Sequence, residues 1–263
     1  MNLLHRGGLL LGLVFGLAAC QSNSVRTGDL QGDNTGELGS PMKRDSAAVI
    51  YVDLGTAYLQ EGNLTEAFKN ARKAVIIDPD LASAHNLLGV VQQRLGQRVQ
   101  AEEHLRRAVS LEPHNPYALN ALGSFVCQNG EYTEADTFFQ RALANPLYPT
   151  PWVAAYNAGQ CAERSGAMEK AEAKYRKALN GNPRFAPALL RMAQISFDTD
   201  NYLSARAYLQ RYAQVARHTA ESLWLGLRTE KQLGDKDQMA SYSLKLRGQF
   251  PESEQAIFLK EAE

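Results

Sequence analysis

Residues 48–81 read AVIYVDLGTAYLQEGNLTEAFKNARKAVIIDPDL, and residues 82–115 read ASAHNLLGVVQQRLGQRVQAEEHLRRAVSLEPHN. The two stretches place glycine, alanine and proline at the same offsets. Gly55, Gly89 and Gly123 follow one another at one constant interval, and Gly159 comes two positions later than that interval predicts. Two other rows follow the same register, with alanine at 67, 101, 135, 171 and 205 and proline at 79, 113, 183 and 251. Self-similarity at a fixed interval of this length predicts one structural unit that is stacked several times.

Each row has a steric reason, and together the reasons indicate two helices joined by a tight turn. The row of Gly55 removes a side chain where the two helices touch. The row of Gly62 falls at the turn, because glycine enters left-handed backbone at little cost. Proline ends the second helix or begins the next unit, since it lacks an N–H group. In the fifth and sixth units the count places Ala193 and Leu227 at the contact position.

These residues resemble the tetratricopeptide repeat, a helix–turn–helix unit of the same length. The resemblance implies an all-α fold in which about six repeats form a right-handed superhelix. The third repeat holds two extra residues near position 145, and we expect them to bulge from a loop. Residues 254–263 are expected to form a capping helix that lays Ile257 and Phe258 over the last repeat. The predicted repeats are 48–81, 82–115, 116–151, 152–185, 186–219 and 220–253.

The amino terminus has the layout of a secretory signal peptide over residues 1–19. Arg6 precedes an apolar stretch, and the stretch ends in Leu-Ala-Ala before Cys20. This end resembles the bacterial lipobox, which implies cleavage before Cys20 and acylation of its sulfur. The alternative is an ordinary signal peptide with a coincidental cysteine. Gln21 follows Cys20, in place of the Asp that commonly retains enteric lipoproteins in the inner membrane, so the resemblance favours the outer membrane.

Residues 20–47 are expected to be the lipidated cysteine and a flexible tether, because glycine and small polar residues dominate them. The whole chain of 263 residues balances 28 Lys and Arg against 28 Asp and Glu. This balance gives no support for a strongly cationic surface that binds nucleic acid. With 44% hydrophobic residues the chain can build a core, so full-length disorder is not expected.

The sequence gives no reason to expect an enzyme, a metal site or a cofactor. It contains no known nucleophile, zinc or phosphate-binding motif. His85 falls on a packing row, and His104 is expected to face solvent. Cys127 and Cys161 stand near the ends of first helices in adjacent repeats. Because such helices pack about 8–10 Å apart, we expect a disulfide there, with free buried thiols as the alternative.

The resemblance implies that the first helices line the concave face of the superhelix, which is the expected partner-binding groove. Residues at spacings of three and four share one helix face and so form the inner row of each repeat. Its first row is apolar, and either a partner peptide or another part of the chain is expected to cover it. No Lys or Arg stands on the early inner rows, so a carboxylate clamp is not expected there. Trp224, Arg228 and Lys231 form either a cation–aromatic patch or a capped helix face. The predicted groove residues are Val49, Val52, Thr56, Leu59, Asn86, Val90, Asn120 and Tyr156.

A lipobox, a short polar tether and about six repeats together resemble the PilF/PilW family of type IV pilus biogenesis lipoproteins, called pilotins. The resemblance extends to AYLQEGNLTEAFKNARKAV (57–75) and NALGSFVCQNGEYTEAD (120–136). It implies a monomeric, lipid-anchored adaptor on the periplasmic side of the outer membrane. Such an adaptor binds the secretin subunit of the pilus and promotes its multimerisation, and so supports twitching motility. The alternative is a repeat lipoprotein that scaffolds peptidoglycan enzymes or outer-membrane barrel assembly.

Overall fold

The computed structural model describes residues 47–261, and all structural statements concern this range. The predicted signal peptide, Cys20 and the tether to residue 46 lie outside it. Thirteen α-helices and no strands occupy the described range. They are α1 (Ala47–Gln60), α2 (Leu64–Ile77), α3 (Ala82–Arg94), α4 (Arg98–Leu111), α5 (Pro116–Gln128), α6 (Tyr132–Leu143), α7 (Pro151–Arg164), α8 (Met168–Gly181), α9 (Ala186–Asp198), α10 (Tyr202–Ala213), α11 (Ala220–Leu233), α12 (Lys236–Gln249) and α13 (Glu254–Glu261).

The helices form six antiparallel pairs, and the all-α repeat fold predicted from the sequence is confirmed. A residue with positive φ stands in the turn inside every pair. In five pairs this residue is a glycine, with Gly62 at φ 77° as the first. In the fifth pair Asp200 takes the same conformation at φ 59°. The turn row therefore follows the backbone requirement that the sequence predicts, with one tolerated substitution.

Close approach of neighbouring helices explains the contact glycines. A Cβ on Gly55 would lie 2.7 Å from Leu87 Cδ2. A Cβ on Gly159 would lie 2.6 Å from the ring of Tyr175, which is fully buried. Contacts under 3.0 Å are too short for carbon atoms, so a side chain at either position would require the buried Leu87 or Tyr175, or the helices themselves, to shift. The alanines of the second helices at 67, 101, 135, 171 and 205 are all 0% exposed.

The contact glycine of the sixth repeat is Gly226, and the expectation that Leu227 stands at this position is wrong. A Cβ on Gly226 would lie 2.6 Å from the ring of Tyr242. Gly226 precedes Tyr242 by the same interval at which Gly159 precedes Tyr175. The first helix of this repeat is therefore one residue longer between the contact and the turn than the constant repeat interval assumes.

The first helices lie on the inner side of the stack. Helices α1, α3, α5 and α7 contact one another in succession, and α9 contacts α11. These contacts are more extensive than any between neighbouring second helices. Since the closer layer of a curved stack is its inner layer, residues of the odd-numbered helices through α11 line the concave side.

The loop after α6 contains the two extra residues of the third repeat. Tyr148 turns inward and packs edge-to-face on Tyr117, while Leu147 is 86% exposed. Beside this loop lies an open cleft of about 420 Å³. The cleft is lined by Glu112, Pro113, His114, Asn115, Pro116, Tyr117, Asn145, Leu147 and Pro149.

Helix α13 packs against α11 and α12, but not with the residues that the sequence suggested. Ala256 and Leu259 are buried, whereas Ile257 and Phe258 are 46% and 52% exposed. The expectation that Ile257 and Phe258 cover the last repeat is therefore wrong in its choice of face. None of the helices between residues 47 and 261 combines the length and the apolar character that crossing a membrane requires.

Candidate partner-binding site

The structure places most of the predicted groove residues inside the stack. Six of the eight are less than a tenth exposed, and Val49 and Thr56 are half-buried. Three of the buried residues are apolar and belong to the largest hydrophobic cluster. Their assignment to a partner stays a prediction. The six buried residues are Val52, Leu59, Asn86, Val90, Asn120 and Tyr156.

Two of the predicted groove residues carry oxygen atoms whose hydrogen-bonding capacity is not used within residues 47–261. Thr56 Oγ1 and Asn86 Oδ1 are buried and have no hydrogen-bond partner in this range. Leaving a buried polar atom unpaired costs about 1–3 kcal/mol. These two oxygens lie on the inner helices of the first two repeats, and both are shielded from solvent.

Polar and covalent links join successive first helices along the inner layer. Gln93 Nε2 donates to Gln128 Oε1 over 2.7 Å, from α3 to α5. Asn157 Nδ2 donates to Asn120 Oδ1 over 3.0 Å, from α7 to α5. Arg191 of α9 forms an ion pair with Glu163 of α7. These links fix the spacing between repeats, and spacing in sequence alone did not identify them.

Cys127 and Cys161 are bonded to each other in the structure. The bond joins α5 to α7, and the two Cα atoms are 5.8 Å apart. It closes a loop whose ends are separated by 34 positions in sequence. The bond lies on the same inner layer as the Asn157–Asn120 hydrogen bond, so the third and fourth repeats are held together twice.

Tyr156 and its neighbours form the polar part of the inner layer in the fourth repeat. Gln160 Nε2 donates to the Tyr156 hydroxyl over 3.1 Å, and Tyr175 donates to Glu163 Oε2 over 2.7 Å. Burial raises the pKa of both phenols, with the weaker opposing effect of Arg191 on Tyr156. Both side chains therefore stay neutral hydrogen-bonding groups at any pH that the folded chain meets.

The two histidines of the second repeat form a direct pair. Their Nδ1 atoms are 2.9 Å apart, and His85 Nε2 lies 2.9 Å from the Pro79 carbonyl oxygen. Because a carbonyl only accepts, His85 Nε2 donates to it and His85 Nδ1 accepts from His104. Burial and then the proximity of His85 lower the pKa of His104. The expectation that His104 faces solvent is thus wrong.

The described residues do not gather a metal site. Between 47 and 261 there is no group of three His, Cys, Asp or Glu side chains with suitable positions. His114 lines the loop cleft, and His218 lies within 3.1 Å of the Ser222 hydroxyl at the start of α11.

The free end of α1 exposes apolar residues that later repeats bury. Ile50 is 53% and Leu54 43% exposed. The equivalent residues of α3, one repeat later, are Ala84 at 0% and Leu88 at 4%. In α3 a preceding second helix, α2, packs against the first helix, and α1 has no such neighbour within the described range. Among residues 47–261, nothing covers this helix-packing surface at the N-terminal end of the stack.

The stack of antiparallel helix pairs, each with a residue of positive φ in its turn, is that of a tetratricopeptide-repeat protein. Family models described as TPR repeat and tetratricopeptide repeat match residues 55–96, 86–150 and 139–187. The type IV pilus assembly protein PilF of Pseudomonas aeruginosa is 33% identical over 241 residues, which are 92% of this chain and 94% of that protein. This chain belongs to the PilF/PilW family of type IV pilus assembly proteins.

Two solved structures of this family are similar to the fold. The structure of Pseudomonas aeruginosa PilF has a TM-score of 0.74 at 33% identity and covers 84% of this chain and 99% of its own. The structure of PilW, a widely conserved type IV pilus biogenesis factor, has a TM-score of 0.72 at 28% identity, with 82% and 99% covered. The similarity extends over nearly all of the described range.

Proposed function

We propose that this chain is an outer-membrane lipoprotein adaptor that binds the secretin subunit of the type IV pilus. In this proposal it brings the secretin to the outer membrane and promotes its multimerisation. The observation that carries the proposal is the uncovered face of α1, with Ile50 and Leu54 at its centre. Exposed apolar side chains at helix-packing positions are suited to a partner that supplies the missing helix.

The sequence before α1 does not predict a second helix that would cover this face. In the repeat register that helix would be residues 30–43, which read LQGDNTGELGSPMK. Three glycines and one proline make this stretch a poor helix former. A segment of the partner with its own amphipathic helix is therefore the better occupant.

Two predicted groove residues with unpaired oxygens lie on the inner side, apart from the exposed face of Ile50 and Leu54. Thr56 lies on α1, and Asn86 lies on the adjacent α3. Both oxygens are buried, and Thr56 stands two positions after Leu54 and so on another side of α1. The contact area of this proposal is therefore the apolar α1 face. The predicted groove residues Val49, Val52 and Leu59 border Thr56 along the same helix.

The anchor in this proposal is an acylated Cys20, which supplies the destination. In this proposal the stretch from 21 to 46 is a flexible tether, for which a chain of that length implies a root-mean-square reach of roughly 25–30 Å. A tether of this length keeps the repeats close to the membrane and raises the effective concentration of the bound partner there. The adaptor acts by binding and delivery, with no chemical step.

The test is a charge insertion on the uncovered face. Ile50→Asp with Leu54→Asp places two carboxylates where a partner helix would pack, on side chains that the folded chain already exposes. We expect unchanged circular dichroism, at least about tenfold weaker binding to purified secretin subunits, and fewer secretin multimers in the outer membrane.

Val99→Asp is the matched control, because Val99 is 77% exposed on α4 and away from this face. It should bind secretin as the unmodified chain does. A folded double variant with full secretin binding would refute the proposed docking surface. Normal outer-membrane multimers in a strain that lacks the gene would refute the function itself.

A further inference from the structure

The opposite end of the stack has a surface with different chemistry. Trp224, Arg228 and Lys231 follow one another at spacings of four and three on α11, so they share one helix face. This face belongs to the inner layer, since α11 contacts α9. It is the inner row of the sixth repeat, and the inner rows of the first three repeats hold no Lys or Arg.

Trp224 and Phe258 form a partly open aromatic platform at this end. Their ring centroids are 6.5 Å apart and tilted by 43°. Helix α13 leaves Phe258 52% exposed, and Trp224 is only half-buried. The expected capped face is therefore incomplete, and an apolar side chain of another molecule can contact both rings.

Arg228 is held in place without a carboxylate. Its guanidinium carbon lies 4.3 Å above the ring centroid of Phe197 on α9. Arg191 and Arg206 pair with Glu163 and Glu230, but no acidic side chain between residues 47 and 261 pairs with Arg228. A stacked guanidinium keeps its N–H groups in one plane, which suits a bidentate carboxylate.

Lys231 adds a second cation one helical turn further along α11. Its side chain is exposed, and no ion pair with it forms in the described range. We infer that the inner face of the sixth repeat, together with α13, binds an acidic peptide segment of a partner protein. An apolar or aromatic side chain of that segment rests on Trp224 and Phe258, and its carboxylates bind Arg228 and Lys231.

The arrangement favours a peptide over other ligands for two reasons. Two cations next to the carboxylate of Glu221 make too small a positive surface for nucleic acid. A sugar ring would use the aromatic platform alone and would leave the cations without a role. This inference concerns the end opposite the α1 face and does not depend on the proposed function.

The test uses four acetylated hexapeptides that carry Leu-Phe or Phe-Leu before or after an Asp-Glu pair. Four matched amide peptides carry Asn-Gln in place of Asp-Glu. The chain has two tryptophans, so the variant Trp152→Phe leaves Trp224 as the only indole fluorophore. We expect at least one acidic peptide to change Trp224 fluorescence saturably. The corresponding amide peptide should bind about tenfold more weakly, and added NaCl should weaken binding of the acidic peptide.

Variants then assign the contacts. Arg228→Gln and Lys231→Gln should each weaken binding of the acidic peptide about three- to tenfold, and neither should change binding of the amide peptide. Phe258→Ser should weaken both peptides, since it removes an exposed part of the platform. Lys236→Gln is the matched control, because Lys236 is an exposed cation on α12, and it should bind normally.

Four results would overturn the inference. One is equal affinity for acidic and amide peptides. Another is acidic-peptide binding that neither Arg228→Gln nor Lys231→Gln weakens. A third is the absence of binding by all four acidic peptides at about millimolar concentration. The last is a fluorescence change with chitooligosaccharides but with no peptide, which would assign the platform to a glycan.

Discussion

At the scale of single residues, the repeat interval predicts some of the contact glycines correctly and misses one. The count identified Gly55 and Gly159 correctly, because these glycines keep the register of their repeats. It missed Gly226, because the sixth repeat lengthens its first helix by one residue and shortens the interval from the turn to Tyr242 by the same amount. The available signal was the interval from glycine to tyrosine, which equals that of Gly159 and Tyr175.

The His85–His104 pair predicts a loss of stability in mild acid. The lowered pKa of His104 means that the unfolded chain takes up a proton more readily than the folded chain below about pH 6.5. The free energy of unfolding is therefore full above that pH and decreases as the pH falls through the lowered pKa of the folded state. His218, whose pKa is lowered by burial and then by Lys245, acts in the same direction.

The measurement is urea unfolding between pH 7.5 and 5.5 of the unmodified chain and of His104→Asn. Asparagine is the residue that the first repeat carries at the equivalent position, Asn70. The variant should lose less stability in acid, with a difference of at most about 1.4 kcal/mol per pH unit, the limit for one proton. Identical slopes for the two proteins would contradict the assignment to His104.

At the scale of elements, the bond between Cys127 and Cys161 joins α5 to α7, two first helices that the Asn157–Asn120 hydrogen bond also connects. Sequence spacing predicted the pair, because both cysteines fall near helix ends in adjacent repeats. The same reasoning failed for α13, where the larger Ile257 and Phe258 were expected to be buried. The structure buries Ala256 and Leu259 in their place, in one hydrophobic cluster with Leu223 and Leu227 of α11 and Leu246 of α12.

We expect the disulfide to add about 3–4 kcal/mol to the free energy of unfolding, the value for a closed loop with a sequence separation of 34. Cys127→Ala with Cys161→Ala should unfold at lower urea concentration. Dithiothreitol should lower the stability of the unmodified chain to that of the double variant, and it should leave the stability of the variant unchanged. Two free thiols per denatured, unreduced mature chain would show instead that the bond is absent from the native protein.

At the scale of the whole molecule, the fold follows from the sequence more completely than the binding surfaces do. Glycine, alanine and proline mark close helix contacts and turns that recur at each interval. The exposure of Asn86 or Leu54 depends on which helices lie next to the repeat, and the sequence of one repeat does not specify its neighbours. Asn120 was predicted to line the groove, but its hydrogen bond with Asn157 in the next repeat was not predicted, for the same reason.

The proposed adaptor needs its anchor and its repeats in one chain, and this requirement gives a whole-molecule prediction. Replacing the lipobox leader with a cleavable leader and Cys20→Ala should release a folded, unlipidated chain into the periplasm. Because the whole stretch 21–46 separates Cys20 from the start of α1, the repeats should bind purified secretin as before. Secretin multimers in the outer membrane should nevertheless decrease several-fold, since the partner is no longer concentrated at that membrane.

Cell fractionation and secretin immunoblots measure both effects, and Cys127→Ala with Cys161→Ala serves as the control that keeps the anchor. The control should remain with the outer membrane even if its repeats are less stable, because the proposed anchor is the acylated Cys20. An unlipidated chain that still sediments with the outer membrane would refute the anchor. Normal multimers with a fully periplasmic chain would show that binding suffices without delivery, and the role of the protein would then be that of a chaperone.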